Sequence, residues 1–232
     1  MSSLRFRYPE WVDIEPSVWV QKWNDLFLLD EQRQQDDAEY KSLMDKRGKL
    51  SGSDFERIGQ WKVGCLPRPD GKENRKWQPK TSAAYDVWMQ AKAAPPESPG
   101  EDKIDDEWAR TFLQTWSEKK FAKPAIGGVV QDTRFGLPRA TTLLHFISGG
   151  RFPIYDSSAR YGAKQLGRRL PYEMSVDAYL NKFCPMFTAL ASECGLSQKS
   201  DDLRKLDNAL RCYGRKSLPT SCISEPGQGK IV

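Results

Sequence analysis

The sequence predicts an almost wholly α-helical protein. Three observations carry that expectation. Apolar residues recur at spacings of three and four through most of the chain, no segment alternates strongly as a strand would, and Gly, Pro and acidic residues punctuate the periodic stretches. A chain of 232 residues can bury a substantial core, as one domain or as two closely packed lobes. Its organisation divides into N-terminal helices over 1–62, a basic loop, helix and linker over 63–104, a helical region over 105–215, and a flexible tail over 216–232.

Taken in order, residues 1–14 mix arginines with aromatics and read as an arm packed on the body. A helix opens at Glu15-Pro16-Ser17, with Trp19, Trp23, Leu26 and Phe27 on a wide apolar face. Residues 30–49 are polar with a thin stripe of Tyr40, Leu43 and Met44, which predicts a second, exposed helix. Ser51 to Asp54 carry a capping signal for a short helix packed through Phe55, Ile58 and Trp61. Residues 62–80 lose periodicity and set Lys62, Arg68, Lys72, Arg75, Lys76 and Lys80 around Trp77. That mixture suits either a nucleic-acid strand or a solvated loop with one anchoring ring.

A helix over 82–94 and the linker PPESPGEDK (95–103) follow. The helix over 105–119 turns Trp108, Phe112, Leu113 and Trp116 inward. Gly127-Gly128 mark a break, and Leu137-Pro138 open an apolar helix that Gly149-Gly150 stop. A helix over 175–194 carries Pro185, which predicts a kink. The last helix starts at Asp201-Asp202 and closes at Gly214.

Composition narrows the chemistry. Charged residues make up 29% of the chain and the net charge is +5, which suits an acidic partner. No apolar run approaches a membrane span and no secretory signal is visible, so an intracellular protein with no membrane partner is expected, in the cytoplasm or with the nucleoid or nucleus. Cys65, Cys184, Cys194, Cys212 and Cys222 are widely spaced with no CxxC, against a disulfide framework and a zinc site. His145 is the only histidine, so no multi-histidine metal site can be built, and on its largely apolar helix a structural role is expected for it.

One stretch points further. Asp132 to Gly167 reads as a hairpin, an apolar helix, a Gly/Pro loop, a lone carboxylate and a basic helix. In one ungapped register, Gly136 takes the second hairpin glycine of the LPGVGxKTA pattern and Ala140 its final alanine. Asp156 follows Gly136 by twenty residues, and Leu166-Gly167 close the motif. Over about 35 residues this resembles the helix-hairpin-helix/Gly-Pro-Asp superfamily of DNA glycosylases. It departs at Arg134, which stands for the first hairpin glycine, and at Pro138, which stands where bifunctional members carry a Schiff-base lysine.

The resemblance implies a two-lobed helical protein with a helix-hairpin-helix motif between the lobes. It implies double-stranded DNA as partner and base-excision chemistry of the kind used in DNA repair. Asp156 would be the catalyst of a monofunctional, hydrolytic glycosylase acting as a monomer. No cofactor is expected, because the cysteine spacings do not resemble the family's iron–sulfur cluster. Arg134, Gly136, Leu137, Arg139 and Ala140 would hold a phosphate at the helix start. Arg160, Lys164 and Arg168, four apart on one face, would track the DNA backbone. Tyr155, Trp61 and Trp77 are candidate walls for a flipped base, as are Trp19 and Trp23. Each feature has a plainer reading. Asp156 can simply cap the helix at Ser157, the hairpin can be a packing corner, and the basic face can be solvated. The alternatives for the whole are a non-catalytic helix-hairpin-helix DNA-binding module of a repair or defence assembly, and an all-α interaction protein.

Overall fold

Caps and apolar stripes lay the chain out as helices in this computed structural model, which describes residues 6–8, 12–29, 31–46, 50–63, 79–93, 99–100, 103–123 and 131–214. The order is β1 (Phe6–Tyr8), β2 (Val12–Ile14), α1 (Pro16–Phe27), α2 (Glu31–Met44), α3 (Gly52–Val63), α4 (Pro79–Lys92), α5 (Asp106–Glu118), β3 (Lys120–Lys123), β4 (Gln131–Arg134), α6 (Leu137–Ile147), α7 (Ser157–Gln165), α8 (Val176–Ala178), a π-helical turn (Tyr179–Phe183), α9 (Cys184–Glu193) and α10 (Ser200–Tyr213). The expected loop around Trp77 and the tail over 216–232 lie outside the described residues.

The fold is all-α apart from two small antiparallel hairpins that the sequence did not announce. β1 pairs with β2 in the N-terminal arm, and β3 pairs with β4, setting Lys120 opposite Arg134 and Lys123 opposite Gln131. Strands this short show no alternation longer than a residue or two, so their pairing is decided by the turn and by neighbours. The second hairpin joins α5 to α6. The stretch at 132–134, read as the start of a tight turn between helices, is therefore a strand.

Local chemistry explains most boundaries. Asp105 accepts the Trp108 N–H at 2.7 Å and opens α5. Ser51 and Asp54 cap α3 reciprocally: Asp54 Oδ2 accepts the Ser51 N–H at 2.8 Å and Ser51 Oγ accepts the Asp54 N–H at 3.3 Å. The kink expected at Pro185 takes the form of the π turn just before it. Pro185 has no N–H to give, and the Cys184 N–H bonds back to the Tyr179 carbonyl.

Packing pairs α1 with α10, α7 with α10, α3 with α4 and α5 with α6. The second helix is not the exposed element its composition suggests. Tyr40 and Leu43 are fully buried, and Asp37 and Met44 nearly so. Its charges misled the sequence reading because some of them face inward.

The backbones of α7 and α10 approach closely. A Cβ at Gly162 would overlap the Leu210 carbonyl, and one at Gly214 would overlap the Ser158 carbonyl. Gly214 keeps an ordinary φ of −74°, so it is glycine for close approach rather than for backbone freedom.

Candidate functional site

Asp156 ends the irregular segment that follows α6 and stands at the N-cap of α7, with extended backbone. One carboxylate oxygen, Oδ1, accepts the Ala159 N–H at 2.7 Å. The other, Oδ2, stands 3.2 Å from Arg211 Nε on α10, an ion-pair contact without hydrogen-bond geometry. Burial acts to raise the Asp156 pKa. The charges of Arg211 and Lys62 and the N–H groups of Ala159 and Ser158 outweigh it, and hold the carboxyl below its ordinary value. Asp156 is thus ionised at neutral pH and sits where α7 and α10 approach closely.

Behind Asp156 lies a buried cluster of charge contributed by α2, α3 and α10. Arg204 is nearly inaccessible. Its Nε donates to Asp37 Oδ1 at 3.2 Å and its Nη1 to Asp207 Oδ2 at 2.7 Å, and its guanidinium lies over the Tyr40 ring at 4.6 Å. Asn208 Nδ2 donates to Asn24 Oδ1 at 3.1 Å. Burial is the main force on Asp207 and, with the Asp156 charge, raises its pKa despite both arginines. Lys62 ends α3 within the same field. Burial pushes its amine down to about 8, with Arg211 and Arg204 adding to that effect and Asp156 and Asp207 opposing it.

The only histidine is structural, as the sequence led one to expect. The Phe152 carbonyl can only accept, so His145 Nδ1 donates to it at 2.7 Å. His145 Nε2 is then the acceptor, and Tyr40 donates to it at 2.8 Å. Burial, the largest influence, drops the His145 pKa to about 4, so the ring is neutral. Between Tyr40, His145, Ile154, Arg204 and Asp207 lies a cavity of ≈ 10 Å³, room for about one water. Arg204 Nη2 and Asp207 Oδ1 have no hydrogen-bond partner beside it.

The residues singled out from the sequence disperse. Gly136 caps α6 at φ 80°, ψ 152°, a region only glycine occupies readily. Ala140 is buried, its N–H bonded to the Gly136 carbonyl at 3.1 Å, and Leu137 packs partly buried on the core. Arg139 Nη1 turns back to the Phe135 carbonyl at 2.7 Å. Arg134 pairs with Glu118 at 2.9 Å, both largely exposed.

On α7 the basic face is mostly committed to the protein. Arg160 donates to the Pro171 carbonyl at 2.7 Å and Arg168 pairs with Glu193, while Lys164 is exposed. Two base-pocket candidates are core residues. Trp61 is buried, gives its Nε1–H to the Asp36 carbonyl at 2.8 Å and packs edge-on against Phe146. Tyr155 is buried edge-on against Phe183. Trp19 and Trp23 are also buried, and Trp77 lies outside the described residues. These rings are in the core because a large apolar surface is best spent there.

Arg204, Asp207 and Arg211, with Lys62 and Asp37, are functional-looking residues the sequence reading passed over. A signal existed. Arg204, Asp207 and Arg211 recur at three and four beside Leu203, Leu206 and Leu210, so charge runs along a face that is otherwise apolar. Among the described residues no group of three or more His, Cys, Asp or Glu side chains could hold a metal ion, and no helix is long and apolar enough to cross a membrane. Comparison with protein-family models, curated proteins and solved structures returns no match.

Proposed function

We propose that the chain is a DNA N-glycosylase that takes a modified base out of duplex DNA and hydrolyses its N-glycosidic bond with Asp156. The observation that carries this reading is the state of Asp156: a carboxylate kept ionised at a helix start, at the close approach of α7 and α10, in register with Gly136. Cleavage of the bond builds positive charge on the sugar. An ionised carboxylate beside it stabilises that charge and can orient the attacking water. The Gly136, Arg139 and Ala140 N–H groups are bonded within the protein, so a phosphate at the start of α6, beside Leu137, would be held by side-chain charge. Arg134 can exchange its solvent-exposed partner Glu118 for one at little cost. Lys164 would add charge from α7. The test is abasic-site formation by the full chain on a panel of modified-base duplexes, with product expected on at least one of them. Absence of product on every duplex overturns the reading.

A second reading is favoured by one specific observation. Both Asp156 oxygens already have partners, as they would in a purely structural cap. The chain would then be a non-catalytic DNA-binding module. It would bind duplex DNA with an affinity that falls steeply as salt rises, and leave every base in place.

A further inference from the structure

The ion cluster on α10 leaves two of its own atoms unsatisfied. Arg204 is 4% exposed and Asp207 6%. Arg204 gives Nε–H to Asp37 and Nη1–H to Asp207, which accepts at Oδ2. Arg204 Nη2 and Asp207 Oδ1 have no hydrogen-bond partner among the described residues. A buried donor and a buried acceptor in that condition carry a desolvation cost that only a partner offsets. Both residues line the cavity of ≈ 10 Å³ that also meets Tyr40, His145, Pro153 and Ile154. Tyr40 brings a third polar atom. Its O–H goes to His145 Nε2 at 2.8 Å, so its oxygen keeps lone pairs for accepting.

Size and polarity together select the occupant. The volume admits one water-sized group and no organic ligand. An anion would suit Arg204 but stand against the Asp207 carboxylate. A cation would suit Asp207 but stand against the guanidinium. A neutral group that both accepts and donates suits the two, and water is the smallest such group.

We propose that this cavity is the binding site of one ordered water, which accepts from Arg204 Nη2 and donates to Asp207 Oδ1 and to Tyr40 Oη. The water joins the ion cluster of α2 and α10 to the segment that delivers Asp156. From Tyr40 the bonded chain runs through His145, whose Nδ1 donates to the Phe152 carbonyl at 2.7 Å. The next carbonyl, that of Pro153, accepts from the Tyr179 hydroxyl at 2.6 Å, and the Tyr155 N–H donates to Thr141 Oγ1 at 3.2 Å. Residues 152–155 are thus pinned from α6 and from the π turn, and the water supplies the link to α10. The site stands whether or not Asp156 excises a base.

The test uses the full chain, by crystallography and by water-to-protein Overhauser spectroscopy. One water within hydrogen-bond distance of both Arg204 Nη2 and Asp207 Oδ1 is expected in the crystal. In solution the Ile154 methyl protons should show cross-peaks to a long-lived water. Asp207→Leu, which removes the acceptor and fills the space, should abolish those cross-peaks. A dry cavity in the unsubstituted chain, or a water that touches neither atom, overturns the proposal, and this readout decides even if Asp207→Leu does not fold. Cross-peaks that persist in folded Asp207→Leu also overturn it. So does anomalous scattering from bromide at the site in crystals grown with that anion, which would make it an anion site.

Discussion

The interior is built in two ways. Around Phe135, where α4, α5 and β3 meet, it is aromatic: Trp88, Trp116 and Phe121 surround the ring with centroids 5.0 to 5.7 Å away. Around Arg204, where α2, α3 and α10 meet, it is ionic, with Asp37 and Asp207 paired to one guanidinium and Asp156 to Arg211. The aromatic region gains from every square ångström it removes from water. The ionic region pays a desolvation cost that its pairs offset only in good geometry, and well-packed apolar side chains would do as well for stability. Charge kept at such a cost, next to a carboxylate at a helix start, is what the proposed glycosylase reading rests on.

Substitutions can sharpen that contrast. Phe135→Ala should lower unfolding free energy by about 4 kcal/mol in urea titration, the cost of a large cavity. Arg204→Met should cost a similar amount, roughly 4 kcal/mol, because Asp37 and Asp207 are left buried without their cation. The two differ in rescue. Adding Asp37→Leu and Asp207→Leu should recover most of the Arg204→Met loss, whereas polar-to-apolar changes should not rescue Phe135→Ala. Equal failure to recover would erase the distinction between the two regions.

Gly162→Ala tests the crossing that holds Asp156. A Cβ there meets the Leu210 carbonyl, so α7 must move, at a cost of about 3 kcal/mol visible as a lower Tm.

Between pH 6.5 and about 4, His145 contributes a pH dependence on the order of 3 kcal/mol. Its folded pKa, about 4, lies below the ordinary 6.5. Its contribution is therefore fully present above pH 6.5 and is lost as pH falls through about 4. His145→Gln should flatten the stability slope across that window, measured by denaturant titration at successive pH values.

The smallest effect should be that of Arg134→Gln. It breaks an exposed pair and should change stability by less than about 0.5 kcal/mol, while weakening duplex binding and reducing its salt slope.

Most of the helical frame was legible in the sequence because caps are local. Asp105, Ser51 with Asp54, and Gly136 act on backbone groups within a few residues, and their signals survive without knowledge of the fold. The paired strands β3 and β4 were not legible, since four-residue strands are decided by their partners. The site was half legible. Asp156 stood out through its register with Gly136, and His145 through its apolar helix. Arg211 pairs with Asp156 from α10 and the Lys62 charge acts on it from α3, separations no local pattern encodes. The aromatics proposed for a base pocket went into the core, because a tryptophan's composition does not reveal which way it faces.

The most direct test of the account is Asp156→Asn, assayed for abasic-site formation on a modified duplex that the unsubstituted chain cleaves, well below the variant's Tm. Asparagine can still accept the Ala159 N–H and keep the cap, but it carries no charge for the sugar or for Arg211. Product formation should fall by about 100-fold or more while duplex binding persists. Undiminished product formation, with only the Tm lowered, would make Asp156 a cap and contradict its assignment as the catalyst.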